Sequence, residues 1–416
     1  MSWEPCLLLV LKALFALWLL RRERVLERAP HWIAALLLLL LAFAARAAVF
    51  GYETLDYQDF LTKWVDFFRT HGHFRALRYS VGNYNIPYLY FLALFSLSSI
   101  RDLYLIKLLS TFFDVLLAWA AMRLLGRFTR KSGVLLGCFF AVLFLPTVFL
   151  NSAVWAQCDS SYTALAVLAI ALALEDKPVR SMLCLTLAFG FKLQAVFVMP
   201  VFAVLWMLGK FNWKHFLLFP VFYVALVLPA VLLGRPFWET VTLYFSQTGS
   251  IGSALNYNSS SVFALFRHVQ DPESASRLAI LAAFGFTLLV LLVCLVRRER
   301  LNDRSVLGAA LLFAVGIPFL LPHMHDRYFF CADILTLVLA FAAWPYSPAA
   351  ALTQFASLLG YHAYLKMRFL LPMRYGAAAL IATLVLCAVF LGTALAAPLP
   401  PAAGKPKRGK NVLDNR

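Results

Sequence analysis

Residues 31–50, HWIAALLLLLLAFAARAAVF, carry a single formal charge, Arg46. A run of about 20 apolar residues is what the hydrocarbon core of a bilayer requires of a helix. Comparable segments recur at 5–20, 103–125, 134–150, 160–174, 179–191, 194–208, 215–234, 276–296, 305–321, 329–345, 347–362 and 375–397. The pattern predicts an all-α fold, a polytopic transmembrane bundle of about thirteen helices. Composition agrees, with 62% hydrophobic residues, 14% charged and a mean hydropathy of +0.79. A soluble chain of this size would carry far more surface charge. One membrane domain is expected over 1–397, followed by a polar tail at 398–416, PLPPAAGKPKRGK onward, with too little apolar content to pack.

A net charge of +17 invites a nucleic-acid reading, but the basic residues are spread rather than gathered. More than half of the 37 Lys and Arg fall in separate short stretches at 21–28, 127–131, 175–180, 209–215, 297–304 and 405–416. Basic loops between apolar spans are retained on the cytoplasmic side, so the excess charge reports topology and no nucleic-acid partner is expected. Keeping all these loops inside requires that 86–100, IPYLYFLALFSLSSI, lie on the outer surface without spanning. The N-terminus is then outside and the C-terminal tail cytoplasmic. Residues 5–20 lack the order and cleavage site of a removable signal. The seven cysteines are scattered without a CxxC pair, which argues for neither a disulfide framework nor a zinc site.

This topology leaves 51–102, 151–159, the turn at Lys192, 235–275, 322–328 and 363–374 outside the cytoplasm. The first contains GYETLDYQDFLTKW, with Glu53, Asp56 and Asp59 crowded after an apolar run. Acidic groups at a membrane boundary are costly unless solvated or used. Phe60, Trp64, Phe67 and Phe68 follow helical spacing and predict an amphipathic helix ended by Gly72. The aromatic-rich stretch after it predicts a second helix against the membrane surface. Asp159, Lys192, the Asn/Ser-rich loop LNYNSSSVF (255–263), and His323, His325, Asp326 and Arg327 fall in the other outer segments. Taken singly, each has a plain reading: loop solvation for Asp56 and Asp59, a helix N-cap for Asp159, snorkelling for Lys192, headgroup anchoring for His325 and Arg327. Asp114, seven residues after Lys107 on roughly the same helix face, reads as its internal partner. NSS at 258–260 matches a glycosylation acceptor, a pattern common by chance.

Together the motifs resemble a known family. DYQDFLTKW (56–64) and NYNIPYLY (83–90) are similar to the opening loop of the dolichyl-phosphate-glucose-dependent glucosyltransferases, members of the GT-C superfamily of membrane glycosyltransferases. VWAQCDSSY (154–162), LAFGFKLQAVFVMP (187–200), LNYNSSSVFALF (255–266) and PHMHDRYFFCADIL (322–334) resemble bacterial membrane proteins related to GPI mannosyltransferase II. Asn85-Ile86-Pro87 stands where more familiar sequences have a Pro-Pro pair. The resemblance implies a GT-C-like enzyme of the bacterial cell membrane. It would move a hexose, mannose before glucose, with inversion, from a polyprenyl-phosphate sugar to a glycan, glycolipid or polymer acceptor, on the extracytoplasmic side. It also implies that Asp56 is the catalytic base. Arg327 is then the leading ligand for the donor phosphate, since its planar fork suits phosphate oxygens, with Lys192 and His325 as helpers. Asp59 and Asp159 would place a divalent cation (Mg or Mn) or bind sugar hydroxyls, with Gln157, Asn256 and Asn258 as further positioning groups. A polytopic transporter or lipid flippase is the rival class, although such proteins place their sites near the midplane on broken helices related by repeats. A non-catalytic scaffold would have no need of converging acids and cations.

Overall fold

The computed structural model describes residues 3–244 and 254–396. Over these residues the chain is a bundle of α-helices with one short parallel ladder, Asn256–Tyr257 beside Met324–His325. The expected polar tail at 398–416 lies outside the described residues.

Six helices among the described residues are long and apolar enough to cross a membrane: Ala29–Val49, Asp102–Leu125, Trp213–Leu232, Pro272–Val296, Asp303–Leu320 and Arg374–Ala396. A seventh candidate is the pair Ser132–Phe144 and Pro146–Val154, bent by 47°. Pro146 at the break has no backbone donor to continue the first helix. The larger number expected from apolar runs is not reached, because several runs are short or divided. Residues 194–208 split into a 3-10 turn, Leu193–Phe197, and a helix of 7 residues, Val201–Met207. Helix Asp159–Leu174 has 16 residues and is buried along nearly its whole length. Its apolar character thus serves protein packing as well as any lipid contact, and hydropathy alone does not separate the two.

The helix Ile86–Phe95 has 10 residues, too few to span. That agrees with its expected non-spanning role, but it is not laid open on a surface. Seven of its side chains are buried, and it packs on helices Pro178–Phe191 and Leu218–Leu232. The preceding amphipathic segment begins with a π-turn, Tyr57–Leu61, continues as helix Thr62–Thr70, and turns at Gly72 in the left-handed region, φ 86°. Its buried stripe is Tyr57, Leu61, Val65 and Phe68. Of the expected aromatic stripe Phe68 lies on this core face, Trp64 and Phe67 pack at its flank with Trp64 covering Gly82, and Phe60 is half exposed.

Two ends of the bundle differ in chemistry. At one end Arg123 pairs with Glu175 at 2.6 Å and lies 3.6 Å from Glu23, Arg127 pairs with Asp303 at 2.8 Å, and Lys210 with Asp176 at 2.8 Å. The loops 21–28, 127–131, 175–180, 209–215 and 297–304 therefore gather there. Helix Asp102–Leu125, 24 residues long, separates this end from Asp102 by about 36 Å. At the other end Asp102 accepts from the Tyr57 hydroxyl at 2.9 Å, within the segment 51–102.

Between the ends runs a buried polar spine. Arg46 donates from Nη2 to Asp114 Oδ2 at 2.9 Å, and Ser152 and Ser160 hydroxyls donate to the same carboxylate at 2.6 Å each. Asp114 is thus paired with Arg46 and not with Lys107. Seven residues along a helix share a face but stand about 10 Å apart. Lys107 instead donates to the carbonyls of Val49 at 3.2 Å and Tyr52 at 2.6 Å, fixing the exit of the first long span.

Candidate functional site

Asp56 sits at the N-cap of the π-turn Tyr57–Leu61, held from four sides. Lys107 pins the chain before it, Thr54 donates to the Trp155 carbonyl at 3.2 Å, Tyr57 is tied to Asp102, and the Asp56 N–H donates to the Tyr364 hydroxyl at 3.0 Å. Its carboxylate then receives two donors on Oδ2, the indole N–H of Trp155 at 2.8 Å and the side-chain amide of Gln157 at 2.7 Å. Trp155 and Gln157 follow a second π-turn, Leu150–Val154. Such turns widen the helix by one residue and re-aim the side chains after it. The Gln157 carbonyl in turn accepts from the Tyr84 hydroxyl at 3.1 Å.

A cationic group lies beside this carboxylate. Trp155 stacks on Tyr364, with ring centroids 4.0 Å apart, and the Arg327 guanidinium lies over the Trp155 ring at 5.2 Å. Asp159 is buried at the first turn of its helix, where it accepts from Lys192 Nζ at 2.5 Å and from the Asn151 amide at 2.7 Å. It does not cap that helix; Cys158 holds the cap position without a side-chain bond. Arg327 Nε stands 3.6 Å from Asp159 Oδ2, too far for a hydrogen bond, and is buried without a hydrogen-bond partner among the described residues. Buried donors are rarely left in this state. Burial opposes the charge on Arg327, yet Asp159 and Asp326 outweigh it and hold the guanidinium above its ordinary value.

The short ladder brings His325 and Asp326 to the same place. His325 stacks face to face on Tyr257 with centroids 4.6 Å apart. Burial, helped by the charges of Arg327 and Lys192, lowers its pKa to about 4, so near neutral pH it can donate a hydrogen bond but not a charge. Burial also raises Asp326 to about 7, against the pull of Arg327. Gly360 permits the close approach of helix Pro348–Leu365, since a Cβ there would meet the Asp326 carbonyl at 2.7 Å and that of Asn258 at 3.0 Å.

The structure therefore brings Asp56, Gln157, Asp159, Lys192, His325 and Arg327 together at the end of the bundle away from the basic loops. Asp59 is not among them; it is exposed beside Lys63 at 3.5 Å. Asn256 uses its amide to close a local turn on Ser259, at 2.9 and 2.8 Å. Asn258, with φ 57°, bridges to His325 through the backbone. These two asparagines build the loop that carries the site. A divalent cation between Asp59 and Asp159 does not fit, since one is exposed and the other already matched by Lys192, and no group of three His, Cys, Asp or Glu gathers among the described residues. Residues not singled out from sequence include Trp155, Tyr84, Asn151, Asp326 as a site acid, and Tyr364. Trp155 lies inside the VWAQCDSSY segment (154–162), whereas Tyr364 has no sequence signal beyond its place near a helix end.

No curated protein matches the chain at a significant level. The sequence model of glycosyltransferase family 87 matches residues 83–322, a stretch that includes Tyr84, Trp155, Gln157, Asp159 and Lys192 and stops just before His325 and Arg327. The segment with Asp56 precedes it. That match spans more than half of the 416 residues, and with its membrane-length helices the chain belongs to glycosyltransferase family 87, a family of membrane glycosyltransferases.

Proposed function

We propose that this glycosyltransferase is an inverting, GT-C-type enzyme that moves a hexose, mannose before glucose, from a polyprenyl-phosphate donor to an acceptor hydroxyl on the extracytoplasmic side. The observation that carries the reading is the position of Trp155. Its indole N–H holds the Asp56 carboxylate while its ring face lies under Arg327. A base and a cation for a leaving phosphate are thereby fixed by one rigid side chain.

In this reading the acceptor oxygen forms a bond to the anomeric carbon as the bond from that carbon to the phosphate oxygen breaks. Asp56 accepts the acceptor proton. A single base and in-line attack invert the anomeric centre, with no carboxylate nucleophile required. The leaving group passes from a diester with one negative charge to a monoester approaching two. Arg327, whose Nε lacks a hydrogen-bond partner among the described residues, and Lys192 face that growing charge. Asp159 is shared by both cations, so it holds them in place without cancelling them. Neutral His325 adds a hydrogen-bond donor. The sidedness rests on the basic loops gathering at the opposite end of the bundle, and the lipid tail of the donor accounts for a site at the membrane boundary.

The test incubates purified protein with polyprenyl-phosphate mannose and, separately, polyprenyl-phosphate glucose, together with a mixed glycan acceptor pool. Release of polyprenyl phosphate with sugar appearing on acceptor is expected, faster with mannose. No release from either donor, with lipid-linked sugar instead crossing the bilayer of reconstituted vesicles, would replace this reading by the flippase.

A further inference from the structure

A cavity lies among the basic loops, far from the candidate site. It has a volume of about 570 Å³ and is lined by Arg127, Asn302, Asp303, Arg304 and Thr393 and by an apolar wall that includes Phe128 and Phe390. Arg127 is matched by Asp303 at 2.8 Å. Arg304 has no carboxylate partner among the described residues; its guanidinium rests over the Phe390 ring at 5.4 Å. Asn302 is committed to its own helix cap and to the carbonyls of Arg300 and Ala394. The cavity therefore offers one uncommitted arginine and a net positive lining, next to apolar surface at the ends of membrane-length helices Asp303–Leu320 and Arg374–Ala396.

We infer that this cavity binds the phosphodiester headgroup of an anionic phospholipid in the leaflet on the basic-loop side. A soluble anion would use the arginine but not the apolar wall. A zwitterionic phospholipid would use the wall but bring its own cation against Arg304. An anionic lipid satisfies both, and basic pockets between spans on the side of the positive loops are suited to such headgroups. The inference is independent of the donor and of the sugar.

The experiment uses the full chain, purified in neutral detergent. Retention of phosphatidylglycerol and of phosphatidylcholine is read by native mass spectrometry, and protection by phosphatidylglycerol and by inorganic phosphate alone is read by thermal shift. Wild type should retain phosphatidylglycerol in preference to phosphatidylcholine. Arg304→Gln should lower that preference about fivefold, the effect of one arginine near an anionic headgroup. Thr393→Trp, which fills the cavity from an exposed position, should lower it without any change of charge. Arg300→Gln, an exposed neighbour that does not line the cavity, should leave it unchanged. Equal retention of the two lipids by wild type would overturn the inference. So would an equal loss in Arg300→Gln, which would mean diffuse attraction by the basic loops. Protection by inorganic phosphate equal to that by the lipid would assign the cavity to a soluble anion instead.

Discussion

Trp155 donates its indole N–H to Asp56 Oδ2 across 2.8 Å. The bond joins the cap of one π-turn, Tyr57–Leu61, to the residue that follows a second, Leu150–Val154, across 99 positions of sequence. It also orients the carboxylate by a side chain that is itself held by stacking on Tyr364 and by the Arg327 guanidinium over its ring. A hydrogen bond of this kind fixes which lone pair stays available to a substrate, so the position of the proposed base depends on packing far from it in sequence.

Asp56→Asn keeps the shape and can still accept from Trp155, but cannot take a proton. Turnover should fall by about a hundredfold or more, the usual contribution of a general base, while retention of the lipid-linked donor stays near wild type. Asp59→Asn should change activity little, because its pair with Lys63 is exposed and such pairs are worth about 0–1 kcal/mol. Radiolabelled sugar transfer by both variants decides between them; a dead Asp59→Asn with an active Asp56→Asn moves the base by three residues.

Arg327 gives a graded prediction. Arg327→Lys keeps a charge but loses the planar fork, and should reduce transfer clearly. Arg327→Ala should cost about 1.5–3 kcal/mol of charge-assisted hydrogen bonding, or roughly ten- to a hundredfold in rate. A lipid-headgroup anchor would tolerate lysine without loss. Initial rates at saturating acceptor, with melting temperature measured alongside, separate the two; full activity in both variants would leave Lys192 as the leading phosphate ligand.

Much of this site was legible in the sequence, for a physical reason. Acids, cations and amides are rare in a chain this apolar, so Asp56, Gln157, Asp159, Lys192 and Arg327 stood out, and the basic loops told which ends of the helices they share. Partners were less legible. Asp114 is joined to Arg46 across 68 positions, and only the bundle's packing brings them together. Trp155 looked like one more aromatic residue among many. Asp59 carried the same charge signal as Asp56, but on this π-turn the two point to different environments, which spacing alone did not reveal. Apolar runs outnumber the membrane-length helices among the described residues, because burial against protein and burial in lipid select the same residues.

The Arg46–Asp114 pair should be structural. Both side chains are buried, and the carboxylate also receives Ser152 and Ser160, which flank the turn carrying Trp155 and Gln157. Asp114→Ala leaves a buried guanidinium without its counter-charge, a loss of about 3–5 kcal/mol, and should lower both melting temperature and the yield of folded protein. Adding Arg46→Met should restore part of the loss, since the unpaired charge is then gone. A double variant as unstable as the sum of the singles would show that the two residues are not coupled.

Asp326 and His325, adjacent in sequence, should impose opposite pH dependences on stability. Folded Asp326 keeps its proton to about pH 7, while an unfolded aspartate releases it near about 3.9. Between these values the folded state holds more protons, so stability falls as pH rises. Folded His325 titrates at about 4 and unfolded histidine at about 6.5. Between those values the unfolded state holds more protons, so stability rises with pH. In wild type the two slopes oppose each other from about pH 4 to 6.5, and melting temperature should change little there. Asp326→Asn should expose the rising slope alone. His325→Gln should expose the falling slope, extending to about pH 7. Scanning fluorimetry of the three proteins in one detergent, over that range, measures it. Parallel profiles for both variants would mean that neither group is shielded from solvent as its contacts require.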